Sequence, residues 1–446
     1  MSSKQGNLLF TVQAGGSLSG TLRVPGDKSI SHRSIMLGSL AEGVTEISGF
    51  LQGEDSLATL QAFRAMGVKI EGPDIDNKDG NIRIHGVGMH GLKPPAAPLD
   101  LGNSGTSMRL LSGLLAGQNF VVTLSGDSSL SGRPMRRVTE PLAQMGAVID
   151  TTEAGTAPLK ISGTQTLQGM DYQMKVASAQ VKSCLLLAGL YAKGRTCITE
   201  PAPTRDHTER MLSGFGYKVE RDGATACVQG GGKLTATRVE VPADISSAAF
   251  FMVGASIAEG SDVLLEHVGI NPTRTGVINI LRQMGADISL SNEHEVGGEP
   301  VADIRVKSAP LKGIRIPEDQ VPLAIDEFPV LFVAAALAEG ETVLTGAHEL
   351  RVKESDRIQA MADGLQILGV NARPTEDGIV IQGLGPAGEI GGGRVDSLGD
   401  HRIAMAFAMA ALRANGPVII DNCANVNTSF PGFAALAGNA GLRISC

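Results

Sequence analysis

Six times along the chain a helical run ends in a hydrophobic or small residue, then glycine, then a short extended tail. The segments read R-A-M-G-V-K-I, A-Q-M-G-A-V-I, S-G-F-G-Y-K-V, R-Q-M-G-A-D-I, Q-I-L-G-V-N-A and G-N-A-G-L-R-I. Their glycines, Gly67, Gly146, Gly216, Gly285, Gly369 and Gly441, lie 69–84 residues apart. Glycine after a helix takes the left-handed closing position, and the tail that follows starts a strand. A second signature precedes each of these. An apolar helix ends at Gly43, Gly117, Gly194, Gly260, Gly340 or Gly416, and a strand such as D-V-L-L-E or P-V-I-I-D follows. The unit is therefore helix, strand, polar loop, helix, strand, repeated six times. Solenoid repeats are shorter, roughly 20–50 residues, so each unit is closer to a small layered fold.

At 446 residues the chain is too long for one ordinary core, and six units divide naturally into two bodies of three. The near twins V-P-G-D (24–27) and V-P-A-D (241–244) are extended stretches that meet a helix start, which marks them as crossings. Residues 1–26 with 242–446 are expected to form one domain and residues 27–241 the other. The cleft between two domains is the default place for a ligand.

Composition excludes several classes. A net charge of −8 and 3% aromatics without tryptophan argue against a nucleic-acid binder or an anionic-membrane protein. No run approaches the ~18 apolar residues of a membrane span. The N-terminal residues lack the apolar stretch of a signal peptide. Five scattered cysteines show neither metal spacing nor a disulfide framework, so a reduced, soluble, cytoplasmic protein without a metal site is expected.

The repeats can be compared with one another. Fourteen residues before each helix-ending glycine stand Ser29, Asn103, Gln180, Ser246, Asp326 and Arg402, all polar, at the first turn of an otherwise apolar helix. Ser, Asn and Asp are ordinary caps, and Ser246 is expected to do nothing else. Gln180 and Arg402 are poor caps. Capping also leaves Lys28, Arg33, Arg109 and His401 unexplained, since a cation at a helix N-terminus opposes the macrodipole. An anion bound there reconciles them, because free N–H groups, the dipole and the cations then act together. The stretch L-G-N-S-G-T-S-M-R (101–109) adds close backbone approach at Gly102 and Gly105 and several donors. The loops before the second helices gather Arg133, Arg136, Arg205, Arg274, Lys353 and Arg357. Arg136, Arg210 and Arg274 are expected to pair with nearby carboxylates. The remaining cations point to small polyanionic substrates. Asp326 and Glu354, set among cations, are candidates for acid–base work, with Glu327 as a possible salt-bridge partner beside Asp326.

These motifs, P-G-D-K-S-I-S-H-R, L-G-N-S-G-T-S-M-R-L, G-R-P-M, V-K-E-S-D-R and G-D-H-R-I-A-M, resemble the signatures of the 5-enolpyruvylshikimate-3-phosphate synthase family, in the family's order from residue 25 to about 433. The resemblance implies an α/β fold of two similar domains, each of three βαβαββ units arranged as an inside-out barrel, with the active site in the interdomain cleft. It implies transfer of the enolpyruvyl group of phosphoenolpyruvate to the 5-hydroxyl of shikimate 3-phosphate, with no metal and no cofactor. By the same resemblance Lys28, Ser29, Arg33, Ser178, Ala179, Gln180, Arg205, Asp326 and Lys353 would contact shikimate 3-phosphate. Lys28, Gly105, Thr106, Arg133, Gln180, Arg357 and Arg402 would contact phosphoenolpyruvate. Asp326, Glu354 and Lys28 would be catalytic. A monomer with these two small-molecule substrates is expected, and no nucleic-acid or membrane partner.

The chain departs from the familiar bacterial pattern at three positions: Ala179 replaces a second Ser, Thr428 a Lys and Leu110 a Pro. T-R-D-H-T-E-R is similar to the family's divergent second class, which suggests Arg205 as the replacement phosphate contact. Gly105 carries no side chain, so the inhibitor glyphosate is expected to fit. Two other readings compete. UDP-N-acetylglucosamine enolpyruvyl transferase shares the fold but has Asn where this chain has Ser29, and a reactive Cys in the loop that here reads S-G-D-S-S-L-S-G-R. A non-catalytic anion-binding protein would not need Asp326, Glu354 and the arginines together.

Overall fold

The computed structural model describes residues 8–73, 80–163 and 166–446. Two compact units emerge. One holds the chain up to Pro25 with Pro242–His294 and Pro300–Cys446; the other holds Gly26–Val241 with Glu295–Glu299.

In the second unit, strand Leu99–Asp100 runs parallel to Val122–Ser125, which pairs antiparallel with Leu159–Ile161, flanked in turn by Ile149–Asp150. Helices Gly105–Ala116 and Arg136–Gln144 fill the connections. This is the βαβαββ unit. It recurs with the same strand order in Asp171–Gln173, Arg195–Thr199, Thr225–Gln229 and Val219–Asp222. The unit's remaining sheet is completed from far along the chain, by Leu234–Thr235 and Arg238–Glu240 beside Ala41–Ser48.

The first unit is closed by the same device. Strand Ser19–Leu22 lies parallel to Asp262–Gly269, and Phe10–Val12 sits between Val418–Asp421 and Ile444–Ser445. Its third sheet joins Glu341–Leu344, Ile379–Gln382 and Asn371–Pro374. The first helix of each repeat, Ile245–Ile257, Phe328–Leu337 and His401–Ala410, packs against the other two. Ile245–Ile257 and Phe328–Leu337 are buried along every residue, as helices apolar on all sides must be. Helices at the centre and sheets around them make the inside-out arrangement.

The six glycines after the second helices all adopt positive φ, from 78° at Gly216 to 120° at Gly441. The earlier signature needs correction at Gly43. The first helix stops at Leu40 and strand Ala41–Ser48 runs straight through Gly43. Gly117 caps the end of helix Gly105–Ala116, as that signature expects. Disulfide chemistry was not expected, yet Cys197 and Cys227 face each other across an antiparallel strand pair and are bonded. The two are 30 residues apart, and only the sheet register makes them neighbours. Cys184 and Cys423 are buried thiols that desolvation pushes up to about 12. No helix among the described residues is long and apolar enough to cross a membrane.

Two glycines separate backbone strain from close packing. At Gly369, with φ +84° and open space around it, Gly369→Ala should cost about 1–2 kcal/mol from the left-handed conformation alone. At Gly113 a Cβ would sit 2.0 Å from the Cys184 carbonyl oxygen, because helices Gly105–Ala116 and Ala179–Gly189 touch there. Gly113→Ala must push two helices apart and should lower the thermal midpoint by more than Gly369→Ala does, since overpacking of this kind costs roughly 1–3 kcal/mol or more. Equal midpoints in the two variants would contradict the packing account.

Candidate functional site

The second unit builds its polar surface at three helix N-termini. Asp27, Ser104 and Ser178 cap helices Lys28–Leu40, Gly105–Ala116 and Ala179–Gly189. The caps are therefore neighbours of the residues expected to cap, Asp27 two before Ser29 and Ser104 one after Asn103. Ser29 is the second residue of its helix, and Asn103 lies outside its helix and bonds to Arg133 and Asp127 instead. Lys28 forms an ion pair with buried Asp55. Arg33 is buried; its Nε donates to Thr208 Oγ1 at 2.7 Å, one terminal nitrogen to the Ser29 carbonyl at 2.9 Å and the other to Ser183 Oγ at 2.8 Å. Gln180 bridges two helices: its Nε2 donates to Thr106 Oγ1 at 3.0 Å, and its Oε1 accepts from Arg109 at 2.6 Å. Arg133 donates to Asn103 Oδ1 at 2.6 Å, close to the open face of Gly105. Ala179 opens its helix directly after the cap Ser178. Arg205 is half-buried, and its charge is felt at Arg33.

The first unit centres on Arg357, which is 1% exposed. Its Nε donates to Asp400 Oδ2 at 2.8 Å, one terminal nitrogen to Asp326 Oδ1 at 3.2 Å and the other to Glu354 Oε2 at 2.6 Å. Burial alone would lower this guanidinium; Asp400, Glu354 and Asp326 outweigh it and hold it above its usual value. Lys353 Nζ stands 3.5 Å from Asp326 Oδ1. Arg402 donates to the Asp326 carbonyl at 3.0 Å, with a terminal nitrogen 4.0 Å from its carboxylate. Asp326, Lys353, Glu354, Arg357 and Arg402 thus form one continuous network.

Ser246 does not cap its helix. Asp244 does, accepting from the Ser246 amide, while Ser246 Oγ bonds to buried Glu327 and receives Arg274 at 2.6 Å. Asp takes the cap because it precedes the helix in an extended conformation. Arg274 pairs with Asp244 and Arg210 with Asp206, as carboxylate partners. Arg136 instead donates to the Glu153 carbonyl, so its expected carboxylate pairing is corrected. Glu327 lies 3.9 Å from both Arg274 and Arg402. Thr428, in place of a Lys, donates to the Asn425 carbonyl within its own turn. His401 is the buried first residue of its helix.

Two residues were missed. Asp400 caps the Arg402 helix and also anchors Arg357; its position just before an apolar helical run was the available signal. Asp55 pairs with Lys28 from another helix, and no pattern in the sequence links the two.

His32 is fully buried, with Nδ1 2.8 Å from Thr59 Oγ1, which in turn lies 2.6 Å from Ser107 Oγ. Burial, then the charges of Lys28 and Arg33, push it well below 6.5, against the opposing pull of Asp27. It is neutral in the fold. Below pH 6.5 the unfolded chain binds a proton that the folded chain does not, so stability falls as pH falls there. His32 should contribute a slope of up to about 1.4 kcal/mol per pH unit between pH 6.5 and 5. Denaturation of His32→Gln across that range should show a shallower acid limb; an unchanged slope would place the proton elsewhere.

The chain matches the family model described as EPSP synthase (3-phosphoshikimate 1-carboxyvinyltransferase) over residues 12–436. It is 72% identical over 438 residues to a 3-phosphoshikimate 1-carboxyvinyltransferase of Methylococcus capsulatus, covering 98% of both chains. It is 69% identical over 436 residues to one from Alkalilimnicola ehrlichii, covering 98% of this chain and 96% of the relative. Among solved structures it is similar to the EPSP synthase of Acinetobacter baumannii, with a TM-score of 0.88, 61% identity and coverage of 98% and 99%.

Proposed function

This chain belongs to the EPSP synthase family, and from that premise we propose that it transfers the enolpyruvyl group of phosphoenolpyruvate to the 5-hydroxyl of shikimate 3-phosphate, releasing phosphate. The observation that carries the reading is the Arg357 network, which sets three carboxylates, Asp326, Glu354 and Asp400, and three cations around one point of the first unit. A binding site needs carboxylates only to balance its buried cations, as the fully buried Asp400 does for Arg357; Asp326 and Glu354 are partly exposed on the same guanidinium, where acid–base groups have to be.

To shikimate 3-phosphate we assign Lys28, Ser29, Arg33, Ser178, Ala179, Gln180 and Arg205 from the second unit, and Asp326 and Lys353 from the first. To phosphoenolpyruvate we assign Lys28, Gly105, Thr106, Arg133 and Gln180, with Arg357 and Arg402. The helix N-termini supply backbone donors to the phosphates. In the first step the methylene carbon of phosphoenolpyruvate takes a proton and its C2 becomes oxocarbenium-like. The 5-hydroxyl oxygen bonds to C2 as its own proton leaves, giving a tetrahedral ketal. In the second step the methyl carbon loses a proton and the C2–O bond to phosphate breaks. Asp326 and Glu354 carry these protons. The fixed charge of Arg357 orients both carboxylates and needs no reorganisation during the reaction.

The direct test measures phosphate release from phosphoenolpyruvate with shikimate 3-phosphate and, separately, with UDP-N-acetylglucosamine. Release with the first alone is expected. Release with the second alone would favour the sister transferase, and release with neither would favour a binding protein. In the same assay Glu354→Gln should keep both substrates bound while turnover falls at least about 100-fold, as for loss of a general acid–base group. Near-normal turnover would remove Glu354 from the chemistry.

Gly105 also bears on inhibition. A Cβ there would stand 3.0 Å from an Arg109 nitrogen and 3.1 Å from an Arg133 nitrogen. We expect glyphosate to inhibit the wild type and Gly105→Ala to resist it, with a higher KM for phosphoenolpyruvate. Unchanged wild-type turnover in saturating glyphosate would contradict this.

A further inference from the structure

Lys182 is 1% exposed, and the chemistry above gives it no task. It lies two residues after Gln180 in helix Ala179–Gly189. Its ammonium stands 2.8 Å from Glu209 Oε1, 3.1 Å from Glu200 and 3.4 Å from the Thr204 carbonyl. Glu200 is 7% exposed and Glu209 2%. Thr204 Oγ1 closes the cluster by donating to Glu200 Oε2 at 2.5 Å. Two buried carboxylates require compensating positive charge. Lys182 supplies it directly. Arg33 is the second buried cation nearby, and the Glu209 charge acts on it.

The cluster encloses the segment that carries Arg205. Thr204, just before it, is held by Lys182 and Glu200. Asp206, just after it, accepts from Arg210 at 2.9 Å and from Arg221 at 2.7 Å. Thr208 bonds to Arg33 and to Ser183, the neighbour of Lys182. Every residue from Thr204 to Glu209 is buried except Arg205. The backbone on both sides of Arg205 is therefore fixed, while its side chain is only half-buried. Arg205 and Arg33 bring two like charges within range of each other, an arrangement that an anion would relieve.

We infer that Lys182 is a positioning residue: through Glu200, Glu209 and Thr204 it fixes the 200–206 segment so that Arg205 meets the phosphate of the acceptor substrate. Preference for the phosphorylated acceptor then depends on a buried ammonium that never touches it. The inference rests on the proposed assignment of Arg205 to shikimate 3-phosphate.

The experiment titrates Lys182→Met, Arg205→Ala and the double variant with shikimate 3-phosphate and with shikimate, which lacks the phosphate. Lys182→Met should weaken shikimate 3-phosphate at least about tenfold, because a displaced binding group loses much of its effect. Its affinity for shikimate and its KM for phosphoenolpyruvate should stay within about twofold of wild type, the range of a group not involved. The double variant should bind no worse than Arg205→Ala alone, since both changes remove one contact. If Arg205→Ala is selective for the phosphorylated ligand but Lys182→Met is not, or weakens both ligands equally, the positioning role is overturned and the Arg205 assignment stands. If Arg205→Ala itself has no effect, the assignment fails and the inference with it. Should Lys182→Met not fold, Glu200→Gln keeps the shape and Lys182 while loosening Thr204. It should show the same selectivity, smaller in size, and unaltered selectivity in a folded Glu200→Gln protein overturns the inference.

Discussion

A helix buried on all sides can expose polarity only at its ends, and the rest of this molecule follows from that constraint. Ile245–Ile257 and Phe328–Leu337 have no solvent face at all. Their repeats pack side by side, so only the N-terminal turns offer donors, dipoles and room for charged side chains. Apart from Arg33, which lies a turn further into its helix, each assigned site residue either sits at such a turn or is carried to one by the loop before a second helix. Lys28, Gly105, Ala179 and His401 are first residues of their helices, while Asp326 lies just outside its own.

The cations collected there would repel one another if left alone. The structure answers with carboxylates: Asp55 for Lys28, Asp400 and Glu354 for Arg357, Glu200 and Glu209 for Lys182. The partners do not all work alike. Asp400 is fully buried and holds Arg357 from behind, while Glu354 is partly exposed on the same guanidinium. The buried partner fixes the arginine, and the exposed one stays open to solvent.

How much of this was legible in the sequence divides along the range of the interactions. Local signals were readable: six glycines, six buried helices and strands at the expected places, because a helix end and an apolar run are decided by neighbouring residues. The grouping of Asp326, Glu354 and Arg357 was visible as charged loops, and the family resemblance implied roles for them. Pairings between distant segments were not readable. Cys197 meets Cys227 only through sheet register, Lys28 meets Asp55 only through helix packing, and Ser246 meets Glu327 across 81 residues. Even a local rule misled where two polar residues competed for one role. Asp244 and Ser246 both suit a cap, and backbone conformation before the helix gave it to Asp244.

The paired cations also shape how substrate must bind. Lys28 already has a carboxylate partner, so under the assignment proposed above a substrate phosphate would gain only the difference between its own attraction and that of Asp55. Affinity is reduced by that exchange, while discrimination rises. A singly charged anion competes poorly with a buried carboxylate, and a phosphate of higher charge competes well. A site whose cations are held in advance also spends little on reorganising them when charge develops. Under the proposed assignment, the carboxylates that stabilise these cations in the core are thus the same groups against which a phosphorylated ligand would have to compete.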